Sequence, residues 1–169
     1  MITKRIRQYF GIAMAVAAYY LVHEGAHLLF ALSQGVFKGI RWMGIGMQIE
    51  TYAERMSEVQ LGLFCLVGGV STALAAWTML ALTRRITMMK SKVALAACYY
   101  ITMALPFIDP VYLSVLCDLF GGGDMNGIRL IMPEIPVRIG FGALGVLHGW
   151  GFFRHVLPAY SAAFRRLEA

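Results

Sequence analysis

The sequence predicts an all-α integral membrane protein with about four transmembrane helices and a short re-entrant β-hairpin after the first. Three observations predict it. Hydrophobic residues make up 59% of the 169-residue chain and charged residues only 14%, against about 45–50% and 25% in soluble domains. Charge-free runs of membrane-crossing length recur along the chain. A glycine-broken, β-branched and aromatic segment lies between the first two of these runs. With a mean hydropathy of +0.67, no core of this size hides the apolar surface, so lipid must cover the outside. A soluble enzyme, a disordered tail and a disulfide scaffold are excluded together.

A crossing helix needs about 20 mostly apolar residues. The spans fall at about 8–33, 60–83, 92–117 and 136–157. In the first, no charge appears from Tyr9 to Val22, and apolar character continues past a polar cluster to Leu32. Lys4, Arg5 and Arg7 before it resemble the start of a signal peptide, but the polar cluster inside the helix predicts a retained span. Residues 35–50 carry β-branched and aromatic side chains interrupted by glycines, too short and broken to cross; they predict the hairpin. Glu50, Glu54 and Glu58 against Arg55 then mark a solvated face. Leu61–Thr83 is 23 residues without a charge, and Val93–Cys117 has Asp109 as its single charge, between Pro106 and Pro110. Ile139–Phe153 is 15 residues, extended by Ile135 and Leu157 while Arg138 and Arg154 snorkel. The ends of spans one and three therefore share a membrane face, together with the connectors at 34–60 and 117–135.

The net charge of +6 sits mostly at the edges of apolar runs, which fits headgroups and excludes nucleic acid as a partner. Ten of the fifteen Lys and Arg lie in the N-terminus, the 84–92 loop and the C-terminal end from Arg154 onward. The positive-inside rule places both termini in the cytoplasm, in a bacterial or archaeal cytoplasmic membrane, and turns the other face outward. Cys65, Cys98 and Cys117 are scattered without a CxxC and read as small hydrophobes.

The chemistry lies inside the first span, in His23-Glu24-Gly25-Ala26-His27. Positions i and i+4 share a helix face, so both imidazoles can hold one Zn2+ per chain, with Glu24 beside it as general base. Ionisable residues at such a depth are costly and mark function; the plainer use is a polar patch satisfied by neighbouring helices. A catalytic zinc needs a third protein ligand. The acids on the same face are Asp109, Asp118 and Asp124. Asp124 is preferred, because the glycines of Gly121-Gly-Gly-Asp-Met-Asn-Gly-Ile128 let backbone approach a metal and aspartate suits a helix start. Asp109, at a depth comparable to His23, is the alternative third ligand. Asn126 is a candidate to hydrogen-bond a substrate carbonyl or oxyanion, and equally a turn asparagine.

His23-Glu-Gly-Ala-His-Leu-Leu-Phe-Ala31-Leu-Ser-Gln-Gly35 resembles the HExxHxxxAxxxG stretch of the site-2 protease family of intramembrane zinc metalloproteases. Gly44-Ile-Gly46 resembles the membrane-embedded β-segment that follows it there, and Gly123-Asp124 with Ile128–Ile135 resembles the family's LDG motif and the helix after it. The resemblance covers residues 16 to about 135. It implies His23, His27 and Asp124 as zinc ligands, Glu24 as base, a site toward the cytosol, and cleavage of a transmembrane or membrane-associated peptide or protein substrate. LDG is replaced by Gly-Asp-Met, its preceding Asn- and Pro-rich stretch is absent, and the family's GPxxN is only echoed by Gly69-Val-Ser-Thr72. The length predicts a single membrane-embedded catalytic core, residues 1–169, without a soluble regulatory domain.

Two other readings use the same residues. His148 and His155, seven apart on one helix face, suit a b-type haem protein with histidine axial ligands, although haem leaves Glu24 unexplained. A non-catalytic transporter or assembly subunit would keep zinc for structure. Gly142, Gly145 and Gly149 permit close helix contact, within the chain or between two copies in a homodimer.

Overall fold

The structure, a computed structural model, describes residues 3–44 and 46–168. Helix α1 runs Lys4–Ser33, starting inside the basic segment because the Thr3 side chain caps it, accepting the Ile6 N–H at 3.4 Å. Gly35, at φ +66°, turns the chain into strands β1 (Phe37–Met43) and β2 (Gly46–Thr51), the expected hairpin. They pair antiparallel with Ile40 opposite Ile49 and an irregularity at Lys38. Ile45, in the expected Gly44-Ile-Gly46 turn, lies outside the described residues. Helix α2 (Glu58–Ile86) starts from a Ser57/Gln60 capping box in which each side chain bonds the other's backbone N–H.

The third apolar run is broken, as its prolines require. Helix α3 (Lys92–Ala104) gives way at Pro106 to α4 (Ile108–Val111), a π turn over Tyr112–Leu116 and a 3-10 turn over Cys117–Phe120. Pro110 has no N–H to give the Pro106 carbonyl four residues back. His148 Nδ1–H donates to that carbonyl instead, at 3.2 Å. Helix α5 (Asp124–Ile128) follows three glycines with positive φ. Helix α6 (Glu134–Gly151) continues through a π turn at Phe152–Val156 into α7 (Leu157–Glu168).

Among the described residues, three stretches are long and apolar enough to cross a membrane: Lys4–Ser33, Glu58–Ile86 and Lys92–Phe120. Helix α6, covering most of the expected fourth span, is not among them. It has 18 residues, and its first turns carry Glu134 and Arg138 in ion pairs with Arg129 and Asp118. Large apolar side chains face outward on each of the three long stretches, among them Leu21, Leu74 and Val115. Such a surface needs an apolar solvent.

Two apolar cores form at opposite ends. One gathers Ala31, Ile49, Phe64, Leu113, Met125 and Ile128 around the hairpin and α5; the other gathers Ile86, Leu95, Phe152, Val156 and Tyr160 around α7. The three cysteines are free thiols. On α6, Gly145 faces Pro110 and Gly149 faces Phe107, so this glycine stripe is used to pack against the broken third run.

Candidate metal centre

His23 and His27 are buried on the face of α1 turned toward α2, α4 and α5. Their Nε2 atoms lie 3.2 Å apart. Asp124, the first residue of α5, places Oδ2 3.2 Å from His23 Nε2 and 3.6 Å from His27 Nε2. The three residues form a group that could hold a metal ion, with ligand atoms all within 4.8 Å of one another. Donors about 2.0–2.2 Å from a tetrahedral centre stand about 3.3–3.5 Å apart, so the triangle has the size that one small divalent ion requires.

Asp109 lies on the other side of the His23 ring and is fully buried. Its carboxylate accepts from His23 Nδ1–H at 3.1 Å, from the Tyr19 hydroxyl at 2.7 Å and from the Thr72 hydroxyl. With Asp109 as the acceptor, His23 carries its proton on Nδ1, and in that tautomer Nε2 turns a lone pair toward Asp124. This is the carboxylate–histidine arrangement that orients metal-binding imidazoles. The two aspartates therefore differ in role: Asp124 faces the ligand nitrogens, and Asp109 holds His23 from behind.

Gly68 of α2 supplies the space. A Cβ there would stand 2.5 Å from His27 Nε2 and 2.7 Å from His23 Cε1, so only glycine lets α2 back the two imidazoles at this distance. Lone pairs of two imidazoles and a carboxylate converge on one point, an arrangement that repels itself until a cation or protons fill it. With protons there, burial pushes the Asp124 carboxyl up, but the imidazole N–H groups then bonded to it outweigh this and hold it down at about 2.

Glu24 is half-buried, and its Oε2 accepts the Ile49 N–H at 3.1 Å. Ile49 is paired across from Ile40, and its N–H points away from β1 toward α1. The glutamate of the motif thus fastens the hairpin to the helix that carries both histidines.

No protein family, curated protein or solved structure matches the chain. What the centre can do follows from its donors. Two imidazoles and one carboxylate suit zinc and neighbouring transition ions better than magnesium or calcium, which prefer all-oxygen sites.

The remaining candidates lie elsewhere. Asn126 is exposed, and its amide donates to the Gly121 carbonyl at 2.9 Å, fastening the glycine turn. Asp118 belongs to an ion-pair network with Arg129 and Arg138. His148 is buried under Trp77, and His155 is exposed beside Trp150; neither joins the His23–His27 group. Sequence reasoning missed Tyr19, Thr72 and Gly68. Tyr19 had a signal, since residues 19, 23 and 27 form one stripe at i, i+4 and i+8.

Proposed function

We propose that this chain is an intramembrane zinc metalloendopeptidase of the site-2 protease type, acting on membrane-embedded or membrane-adjacent peptide segments. The observation that carries the reading is that Asp124, a hundred residues from the HExxH motif, meets both its histidines while Asp109 orients one of them. His23, His27 and Asp124 would hold the zinc, which when bound would supply Lewis acidity to a carbonyl and to water. Glu24 is the general base: Oε2 is occupied by Ile49 N–H, and Oε1, without a hydrogen-bond partner among the described residues, receives the proton. A substrate helix hides its amide carbonyls, so the scissile segment unwinds and lies extended along the hairpin that Glu24 tethers.

The depth of the centre along α1 supports a site within the membrane. At about 1.5 Å per residue, His23 stands about 28 Å along α1 from Lys4, within a hydrocarbon core of about 30 Å. Helices α6 and α7 form the fourth crossing, since Glu168 returns to within 3.7 Å of Arg7. The charge rule makes the basic end cytoplasmic and turns the centre to the outer face, the opposite of the side that the site-2 protease resemblance implies.

The test compares wild type with Glu24→Gln on single-span substrates in bilayers, with zinc measured in the same preparations. Wild type should cleave, and Glu24→Gln should keep its zinc while losing about 10²–10⁴-fold in rate, the usual contribution of a general base. Zinc bound with no Glu24-dependent cleavage would assign the centre a non-catalytic, structural role.

A further inference from the structure

Far from the metal centre, the first turns of α1, the middle of α3 and the end of α7 enclose a cleft of about 370 Å³. Lys4, Arg7 and Arg165 line it with Gln8 and Ser161, and among the described residues its only carboxylate is Glu168. Glu168 is mostly exposed and reaches Arg7 at 3.7 Å, while the Arg7 side chain is largely covered. Neither Lys4 nor Arg165 has a carboxylate partner among the described residues. Arg5, Arg84, Arg85 and Arg166 stand at the same end of the helices, so the local field is strongly positive.

The other wall of the cleft is apolar and aromatic. Tyr99, Tyr100, Leu157 and Phe164 line it, and Tyr160 closes its floor with its hydroxyl turned to Thr102 at 3.3 Å. Long apolar helices begin and end here, which puts the cleft at the level where headgroups meet hydrocarbon. Cations beside tyrosines at that depth are the chemistry that recognises an anionic lipid: the phosphate meets the basic rim and the upper acyl chain lies on the rings.

We propose that this cleft binds an anionic phospholipid headgroup, and that the lipid straps the end of α7 to the start of α1. The site lies about 28 Å along α1 from the metal centre, at about 1.5 Å per residue, and does not depend on proteolysis. Phosphate oxygens bridge Lys4, Arg7 and Arg165, holding together the two ends that the lone Arg7–Glu168 pair otherwise joins.

The full chain, purified in neutral detergent, is titrated with phosphatidylglycerol, with phosphatidylcholine of the same acyl chains, and with inorganic phosphate. Binding is read by native mass spectrometry and by thermal melting. Wild type should bind phosphatidylglycerol on the order of tenfold more tightly than phosphatidylcholine and melt higher with it, with a preference that salt weakens. Lys4→Gln/Arg165→Gln should lose the preference while keeping monodisperse elution and helical circular dichroism. Equal binding of the two lipids by wild type, or a preference that survives in the folded double variant, overturns the proposal. Inorganic phosphate matching phosphatidylglycerol in melting shift would make this a free-anion site and overturn the lipid assignment. If the double variant does not fold, the wild-type comparison with single Lys4→Gln decides on the same criteria.

Discussion

Two polar networks flank the segment that delivers Asp124, and they differ in every physical respect. The inner one links Tyr19, His23, Asp109 and Thr72, with Asp109 fully buried. The outer one links Asp118, Arg129, Glu134 and Arg138 through contacts of 2.6–3.2 Å, with Asp118 62% exposed. In the inner network water is excluded, so each lost partner leaves an uncompensated polar group that nothing replaces. In the outer network water and salt replace any partner that leaves. Burial thus sorts the function of the two clusters. The buried set orients a ligand, and the exposed set ties the ends of the α5 segment together at little cost to lose.

Breaking the inner network should have the larger effects. Gly68→Ala forces a methyl between the imidazoles, and the protein should then retain its helical circular dichroism but no stoichiometric metal. A metal-replete Gly68→Ala protein would mean that α2 does not back the centre. Asp109→Asn keeps the shape but removes the charge and one acceptor, and metal affinity should fall about 10–100-fold, as when such supporting carboxylates are lost elsewhere. Competition against a chelator of known affinity measures it. An unchanged affinity would separate Asp109 from the centre.

The outer network should give the smallest effect and a distinctive pH dependence. The Glu134 carboxyl is held below its ordinary value of 4.5, first by the hydrogen bond from Arg129 and then by that from Arg138. A depressed folded value stabilises the protein above the ordinary one, and that stability is lost as pH falls through the depressed value. The melting difference between wild type and Arg138→Gln, about 2 °C at neutral pH, should therefore shrink below about pH 4.5 and in high salt. A difference indifferent to both would show packing rather than charge.

The sequence made α1 and its histidines legible because helical periodicity puts His23 and His27 on one face whatever the tertiary structure. The glycine turn made Asp124 the preferred third ligand, but Asp109 stayed open as the alternative, since both lie on the same membrane side and either can reach His23. The choice depends on which ring nitrogen each faces, a matter of how α4 and α5 pack. Thr72 was hidden because a hydroxyl inside an apolar helix ordinarily bonds its own i−4 carbonyl. The break in the third run was legible from Pro106 and Pro110, but not that His148 would supply the missing donor. The fourth span was less legible than the other three, because its apolar run adjoins turns whose Glu134 and Arg138 are tied into ion pairs, which leaves α6 outside the stretches long and apolar enough to cross by themselves.

The central claim is that His23, His27 and Asp124 together hold one zinc ion. The most direct test is zinc stoichiometry with zinc-edge X-ray absorption on wild type, Asp124→Ala and Asp109→Ala purified side by side. The account predicts one zinc per wild-type chain with two imidazole ligands at about 2.0–2.1 Å, no stoichiometric zinc in Asp124→Ala, and a weakened but measurable site in Asp109→Ala. Full zinc in Asp124→Ala with none in Asp109→Ala would contradict it, making Asp109 the third ligand.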